Sequence, residues 1–233
     1  MLSFKSFYLI SERSINITKD IQIDKNSMEL AINKCIHIIQ KYIDYVRKIK
    51  REDAQKYNDG YIDEYTHYHA KQMMIQDSSN KKWKGWLLKI NTNRPDIVKI
   101  YFDIDYKLLE KDMGDYDPDH NKLKIYSQEF NLNEPLDIFI FKCKKVLYHE
   151  LKHAFHFYKN IDKYDYTESY WNNHYEIDAK AFEVATALAN AQVNLTDVPR
   201  IAKRFVNLDV YSPKSKKELY KKIYQYYDNL TNK

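Results

Sequence analysis

The chain has 233 residues, 44% of them hydrophobic and 30% charged, with a net charge of +5. This composition excludes a disordered or membrane-embedded chain, and at this length a single domain built as two lobes around a cleft is expected. Cys35 and Cys143 are the only cysteines, too few for a disulfide framework or a thiolate metal site.

The opening decapeptide, Met1 to Ile10, has no apolar run followed by a small-residue cleavage site, and no stretch reaches the length of a membrane span. A cytoplasmic protein with no membrane partner is expected. The Asn-x-Thr triplets at Asn16, Asn194 and Asn229 then carry no glycosylation signal. The basic residues are interspersed among 33 acidic ones, so no nucleic-acid arm stands out. The 22 tyrosines fit the residue bias of an AT-rich genome better than a stacking surface.

Ile32, Ile36, Ile39, Ile43 and Val46 recur at helical spacing and predict a helix over 26–50 that runs on to about Tyr57. Asn26 and Glu29 fit a capping pair at its start. Residues 61–82, with His67 and His69, read as helix or strand. Strands are predicted from Gly85 to Ile90, Ile97 to Asp103 and Leu123 to Gln128, with a turn-rich connection over Gly114 to Asn121. The third strand reads as the last of a short mixed sheet. Asn133 and Pro135 then open a long helix to about Tyr158. Further helices are predicted over 173–191, near 198–206, and from Pro213 to about Leu230 behind a Ser212 cap. Together these give an α+β fold: one domain over 1–233, with a sheet-bearing lobe over 1–160 and a helical lobe over 161–233.

The long helix carries His149-Glu150-Leu151-Lys152-His153. Residues four apart on a helix share a face, so His149 and His153 can present both imidazoles to one ion, and Glu150 can reach water beside it. A carboxylate there can take a proton from that water and return it to a leaving amine. Apolar flanks, Val146-Leu147-Tyr148 and Ala154-Phe155, predict a largely buried helix, on which such a polar set needs a partner. A catalytic zinc needs a third protein ligand and an open fourth position. Glu176, 23 residues beyond His153, stands near the start of the next helix, and the small Ala179 lets two helices approach. His174 and Asp178 are alternative third ligands, and His174, Tyr175, Tyr170 and Tyr166 are candidates for an oxyanion donor.

His-Glu-x-x-His followed by Glu176-x-x-Ala179 resembles the gluzincin branch of zinc metallopeptidases, particularly the small ImmA/IrrE-like and SprT-like members. The resemblance covers roughly residues 85–190. It implies a zincin-like fold, with backing helix, active-site helix and third ligand in the C-terminal lobe. It also implies Zn2+ held by His149, His153 and Glu176, Glu150 as general base, and hydrolysis of a protein or peptide partner. By similarity, Leu123 to Gln128 would be the edge strand that pairs with substrate. Several relatives carry an Asp four residues after the glutamate ligand, where this chain has Lys180, so the group that orients a zinc histidine must come from elsewhere, and Asp178 and Glu183 are candidates for it. The metzincin pattern needs Gly and His where the chain has His156 and Lys159. The segment Ser3 to Glu12 is similar to the starts of many proteins of large tailed bacteriophages, which implies a phage origin and host cytoplasm or virion. A non-enzymatic protein with the same metal site closed by four ligands is the alternative.

Other clusters carry less. His67 and His69 lack companion ligands and read as exposed. Asp117, Asp119 and Asn121 alternate like a calcium loop, but Gln128 stands where the twelfth-position glutamate belongs. His156 reads as a packing or surface residue and Cys143 as core.

Overall fold

The computed structural model describes residues 24–52, 60–77, 85–92, 96–107, 113–158 and 169–231. These residues form six α-helices and one four-stranded sheet. The segment from Ser3 to Glu12, the stretch to Tyr57 and the oxyanion candidate Tyr166 lie outside them. Among the described residues no helix is long and apolar enough to cross a membrane.

Helix α1 (Lys25–Glu52) buries Ile32, Ile36, Ile39, Ile43 and Val46, the stripe its spacing predicts. Its cap is Asp24, whose carboxylate accepts from the Asn26 and Ser27 amides at 3.3 and 3.1 Å. Asn26 and Glu29 are therefore not the capping pair. Glu29 instead accepts a hydrogen bond from the Tyr148 hydroxyl. Residues 64–77 form helix α2 (Glu64–Asp77).

The strands are β1 (Trp86–Asn91), β2 (Ile97–Asp105), β3 (Gly114–Asp117) and β4 (Lys122–Tyr126). Their order is β1-β2-β4-β3, with β2 and β4 parallel and the outer pairs antiparallel. This corrects two expectations. The strand expected at the edge, β4, is interior, and the edge is β3, inside the stretch expected to be a turn. Gly114, Asp115, Asp117 and Pro118 gave that stretch its turn composition, but the turn proper occupies only Pro118 to Asn121, where Asn121 takes a positive φ of 47°. Tyr116 turns inward, and Asp117 pairs across the hairpin with Lys124 at 2.8 Å.

The two sheet edges differ. Along β1, helix α1 occupies the outer groups: Lys34 Nζ donates to the Leu87 carbonyl (2.7 Å), and the Asn91 amide donates to Ser27 Oγ (2.7 Å). The Asn91 carbonyl accepts from the Asp24 amide (3.0 Å). Along β3, the Met113 carbonyl accepts from the Tyr126 amide at 2.9 Å. Antiparallel alternation therefore aims the peptide groups of Gly114 and Tyr116 away from β4, toward the outer edge.

Helix α3 (Leu136–Tyr158) packs on the sheet through Phe139, Cys143, Leu147, Leu151, Ala154 and Phe155. Helix α4 (His174–Asn190), capped by Asn173, whose side chain accepts from the Tyr175 amide, crosses beside it. After the short α5 (Val198–Ala202), helix α6 (Pro213–Thr231) closes on α4, its first turn capped by Ser212 Oγ accepting from the Ser215 amide. Two apolar clusters result. One joins α1, α2, the sheet and α3; the other joins α4, α5 and α6. Helix α4 serves both, sending Phe182 into the first and Ile177, Val184 and Leu188 into the second.

Candidate metal centre

One face of α3 is apolar and packs on the sheet; the opposite face carries Lys142, Lys145, Val146, His149, Glu150, His153 and Phe157 and lines a cleft of about 890 Å³. The cleft's other walls come from β3, from α4 with Tyr170 and Trp171 ahead of it, and from Tyr211. Gly114 is what lets β3 lie against α3. A Cβ on it would stand 2.5 Å from Val146 Cγ1, 2.9 Å from the Lys124 carbonyl and 3.4 Å from Glu150 Cγ.

His149, His153 and Glu176 come together in this cleft with their donor atoms within 4.8 Å of one another. His149 Nε2 lies 3.2 Å from His153 Nε2 and 3.3 Å from Glu176 Oε2, and His153 Nε2 lies 3.5 Å from Glu176 Oε1. A tetrahedral ion with ligands at ~2.0–2.1 Å has ligand–ligand edges of about 3.3 Å. The triangle therefore has the dimensions of three ligands around one small divalent ion. Glu176 is buried and both histidines half-buried, so the group is enclosed on the protein side and open toward the cleft.

The alternative third ligands are engaged elsewhere. His174 turns outward and pairs with Glu218 at 2.5 Å. Asp178 accepts from His156 Nε2 (2.7 Å), Lys222 Nζ (2.6 Å) and the Tyr226 hydroxyl (2.9 Å), with Lys152 Nζ at 3.1 Å. Burial opposes its charge, but these partners, Lys152 first, hold its carboxyl well below the usual carboxylate range. Asp178 is thus a pin between α3, α4 and α6, and His156 is its buried packing partner.

The carboxylate behind His149 is Glu183. It lies seven residues, two helical turns, beyond Glu176 and so shares its face. Glu183 Oε2 stands 3.4 Å from His149 Nδ1, which has no better partner among the described residues. Lys180, at the position where the resemblance leads one to look for an acid, grips both Glu183 oxygens at 2.8 and 2.9 Å, and Lys145 Nζ adds a contact at 3.2 Å. Burial opposes the Glu183 charge; His149, Lys180 and Lys145 outweigh it and hold the pKa at about 2.

The remaining electrostatics follow from this arrangement. Burial would depress the His149 imidazole, but Glu176 and Glu183 raise its pKa to about 10. Burial also opposes the Glu176 charge, and the two imidazoles hold that carboxyl below the usual range. Glu150 is pushed up by burial, with the nearby Glu176 and Asp115 charges adding and the two histidines opposing. A carboxyl whose proton affinity is raised beside a cleft is suited to taking and returning a proton.

One cleft residue escaped the sequence. Tyr211, buried against Trp171 (ring centroids 5.8 Å), lines the cleft with the triad, and burial together with the Glu183 and Glu176 charges raises its pKa to about 12. It follows a short 3-10 turn, Leu208–Val210, and no spacing rule links it to the motif. Of the candidates named from sequence, Tyr170 also lines the cleft, Tyr175 packs on His156 and His174 is held by Glu218.

The secondary clusters resolve differently. His67 is buried rather than exposed, its Nδ1 facing Tyr42 Oη (3.0 Å) and Ser127 Oγ (2.8 Å), and burial lowers its pKa to about 4. His69 lies on the other side of α2 against Tyr65. Cys143 is core, and burial pushes its thiol up to about 12. Asp117 binds His120 and Lys124, so the alternating acids serve the hairpin.

No protein-family model, curated protein or solved structure matches the chain.

Proposed function

We propose that the chain is a zinc-dependent endopeptidase of the gluzincin type, with a zincin-like fold and peptide as its substrate. The observation that carries this reading is the convergence of His149, His153 and Glu176 on one open-sided triangle, with Glu150 beside it on the same helix face. In this assignment those three residues hold Zn2+, which when bound supplies a Lewis acid that activates water near neutral pH. Glu150 accepts the proton of the attacking water and passes it to the leaving amine. Its raised affinity for protons suits both halves of that task. Glu183 orients His149 through Nδ1, and Lys180 and Lys145 hold Glu183 in place.

The edge strand for substrate in this scheme is β3, in place of β4. Its outer peptide groups, at Gly114 and Tyr116, run along the cleft, and an extended peptide added there would lie across Glu150. The Tyr211 hydroxyl takes the role of donor to the developing oxyanion, from a fixed and nearly dry position. Against the purely structural reading, a closed site needs a fourth protein ligand, and both residues considered for it, His174 and Asp178, are committed to other partners.

The test is a Glu150→Gln variant measured for zinc content and for cleavage of an unfolded protein such as casein. The expected result is stoichiometric zinc with cleavage reduced at least about a hundredfold. Full activity in that variant would overturn the mechanism.

A further inference from the structure

Tyr211 stands on irregular backbone. It follows the short turn Leu208–Val210 and comes two residues before Pro213, where α6 begins, so neither a helix nor the sheet holds it. Its own amide reaches the Leu208 carbonyl only at 3.3 Å, beyond the usual range for such a bond. Yet the ring is buried and lies close enough to Glu183 and Glu176 for their charges to act on its hydroxyl. A donor to a reacting oxygen has to be placed to within about half an ångström, and a side chain on irregular backbone needs that precision from its neighbours.

The hold comes from the turn ahead of α4. Trp171 meets the Tyr211 ring edge-on, with ring centroids 5.8 Å apart and the planes at 65°. Asn172 Oδ1 accepts from the Ser212 amide at 2.9 Å, one residue beyond Tyr211. The Asn172 carboxamide is itself anchored: its Nδ2 donates to Ser169 Oγ at 2.6 Å, and the Asn172 backbone amide donates to the Ser169 carbonyl at 2.8 Å. Each end of the carboxamide therefore has the partner its chemistry requires. Asn173, next in the chain, caps α4 by accepting from the Tyr175 amide at 2.9 Å, and the first turn of that helix holds Glu176. Asn172 and Asn173 thus tie Tyr211 and Glu176 to one short turn, although the two lie 35 residues apart in sequence.

We propose that Asn172 is a positioning residue: through the Ser212 amide it fixes the Tyr211 hydroxyl relative to the oxygen that becomes negative as the peptide bond is attacked. This rests on the endopeptidase reading and on Tyr211 as the oxyanion donor. Asn172 is not among the described residues that line the cleft, so its effect passes through Tyr211. Its loss should leave substrate binding alone and raise the barrier to the chemical step.

Asn172→Ala, Tyr211→Phe and the double variant are compared in zinc-loaded protein cutting one fluorogenic peptide taken from casein. Tyr211→Phe is expected to lower kcat about a hundredfold and Asn172→Ala at least about tenfold, with KM within about twofold of wild type in both. The double variant should be slower than Tyr211→Phe by no more than about twofold, because the asparagine then has no hydroxyl to place. Zinc affinity, read by chelator competition, should be unchanged in all three. In metal-free protein carrying fluorotyrosine, the fluorine resonance that Tyr211→Phe removes should move in Asn172→Ala. Ser169→Ala, which frees the other end of the carboxamide, should lower kcat and move that resonance by less, and it carries the test if Asn172→Ala does not fold. Losses that multiply in the double variant, zinc binding weakened by Asn172→Ala, or an unmoved resonance would overturn the proposal. Full activity in Tyr211→Phe would strike the donor role and the positioning role with it. A wild-type protein that cuts no peptide would strike the peptidase reading itself.

Discussion

Replacing Glu183 with Gln probes the site at its least conventional point. The substitution keeps an oxygen acceptor near His149 Nδ1, 3.4 Å away in the native chain, and removes the charge. Two effects then add. The imidazole loses the anion that makes it a stronger donor to an ion, and Lys145 and Lys180, now facing a neutral amide, turn uncompensated positive charge toward a divalent cation. Loss of such a supporting carboxylate typically weakens metal binding about 10- to 100-fold, which is roughly 1.4–2.7 kcal/mol. The lysine repulsion places the expected value near the upper end. Competition with a chromogenic zinc chelator at pH 7.5 measures it directly. A zinc affinity unchanged in Glu183→Gln would refute the assignment of Glu183 as the residue that orients His149, and with it the explanation of Lys180.

Asp178→Asn is the contrasting case. It strands Lys152 and Lys222 beside a buried amide and should cost about 3 kcal/mol of stability in chemical denaturation, while zinc affinity moves far less than in Glu183→Gln. Gly114→Ala places a methyl against Val146 and the Lys124 carbonyl, with an expected loss of about 1–3 kcal/mol and slower peptide cleavage as β3 is pushed from Glu150. His67 is neutral when folded, and its pKa falls from 6.5 to about 4. Protonation therefore favours the unfolded chain: the stability is intact above pH 6.5 and is lost as pH falls from 6.5 to 4, by about 3 kcal/mol. In His67→Gln that acid-dependent loss should be missing when the two proteins are compared by urea titration across this range.

Much of the site could be read from residue spacing because its parts are local to two helices. The four-residue step sets His149 and His153 on one face, and the apolar residues around them fix which face meets the sheet. Glu176 was reachable because it opens the next helix with a small residue one turn on. The assignments that failed depend on contacts between elements. β3 has turn residues and becomes a strand through pairing with β4. His67 has no apolar signature of its own, and its burial comes from Tyr42 and Ser127, which are 25 and 60 residues away in sequence. The choice between Asp178 and Glu183 was settled by helix phase once α3 and α4 were docked. Tyr211 lies on an irregular segment whose path no periodic pattern encodes.

Helix α4 is a party wall, with Phe182 in the sheet-side core and Ile177, Val184 and Leu188 in the helical one. Two of the three edges of the donor triangle run from α3 across to this wall. The position of Glu176 is consequently fixed by packing on both of its sides, and a core substitution in either half that tilts α4 changes the spacing of the donors. An ion titrated onto this triad would therefore gauge tertiary register: its affinity would read, at one point, how well two separate interiors are seated against a shared partition.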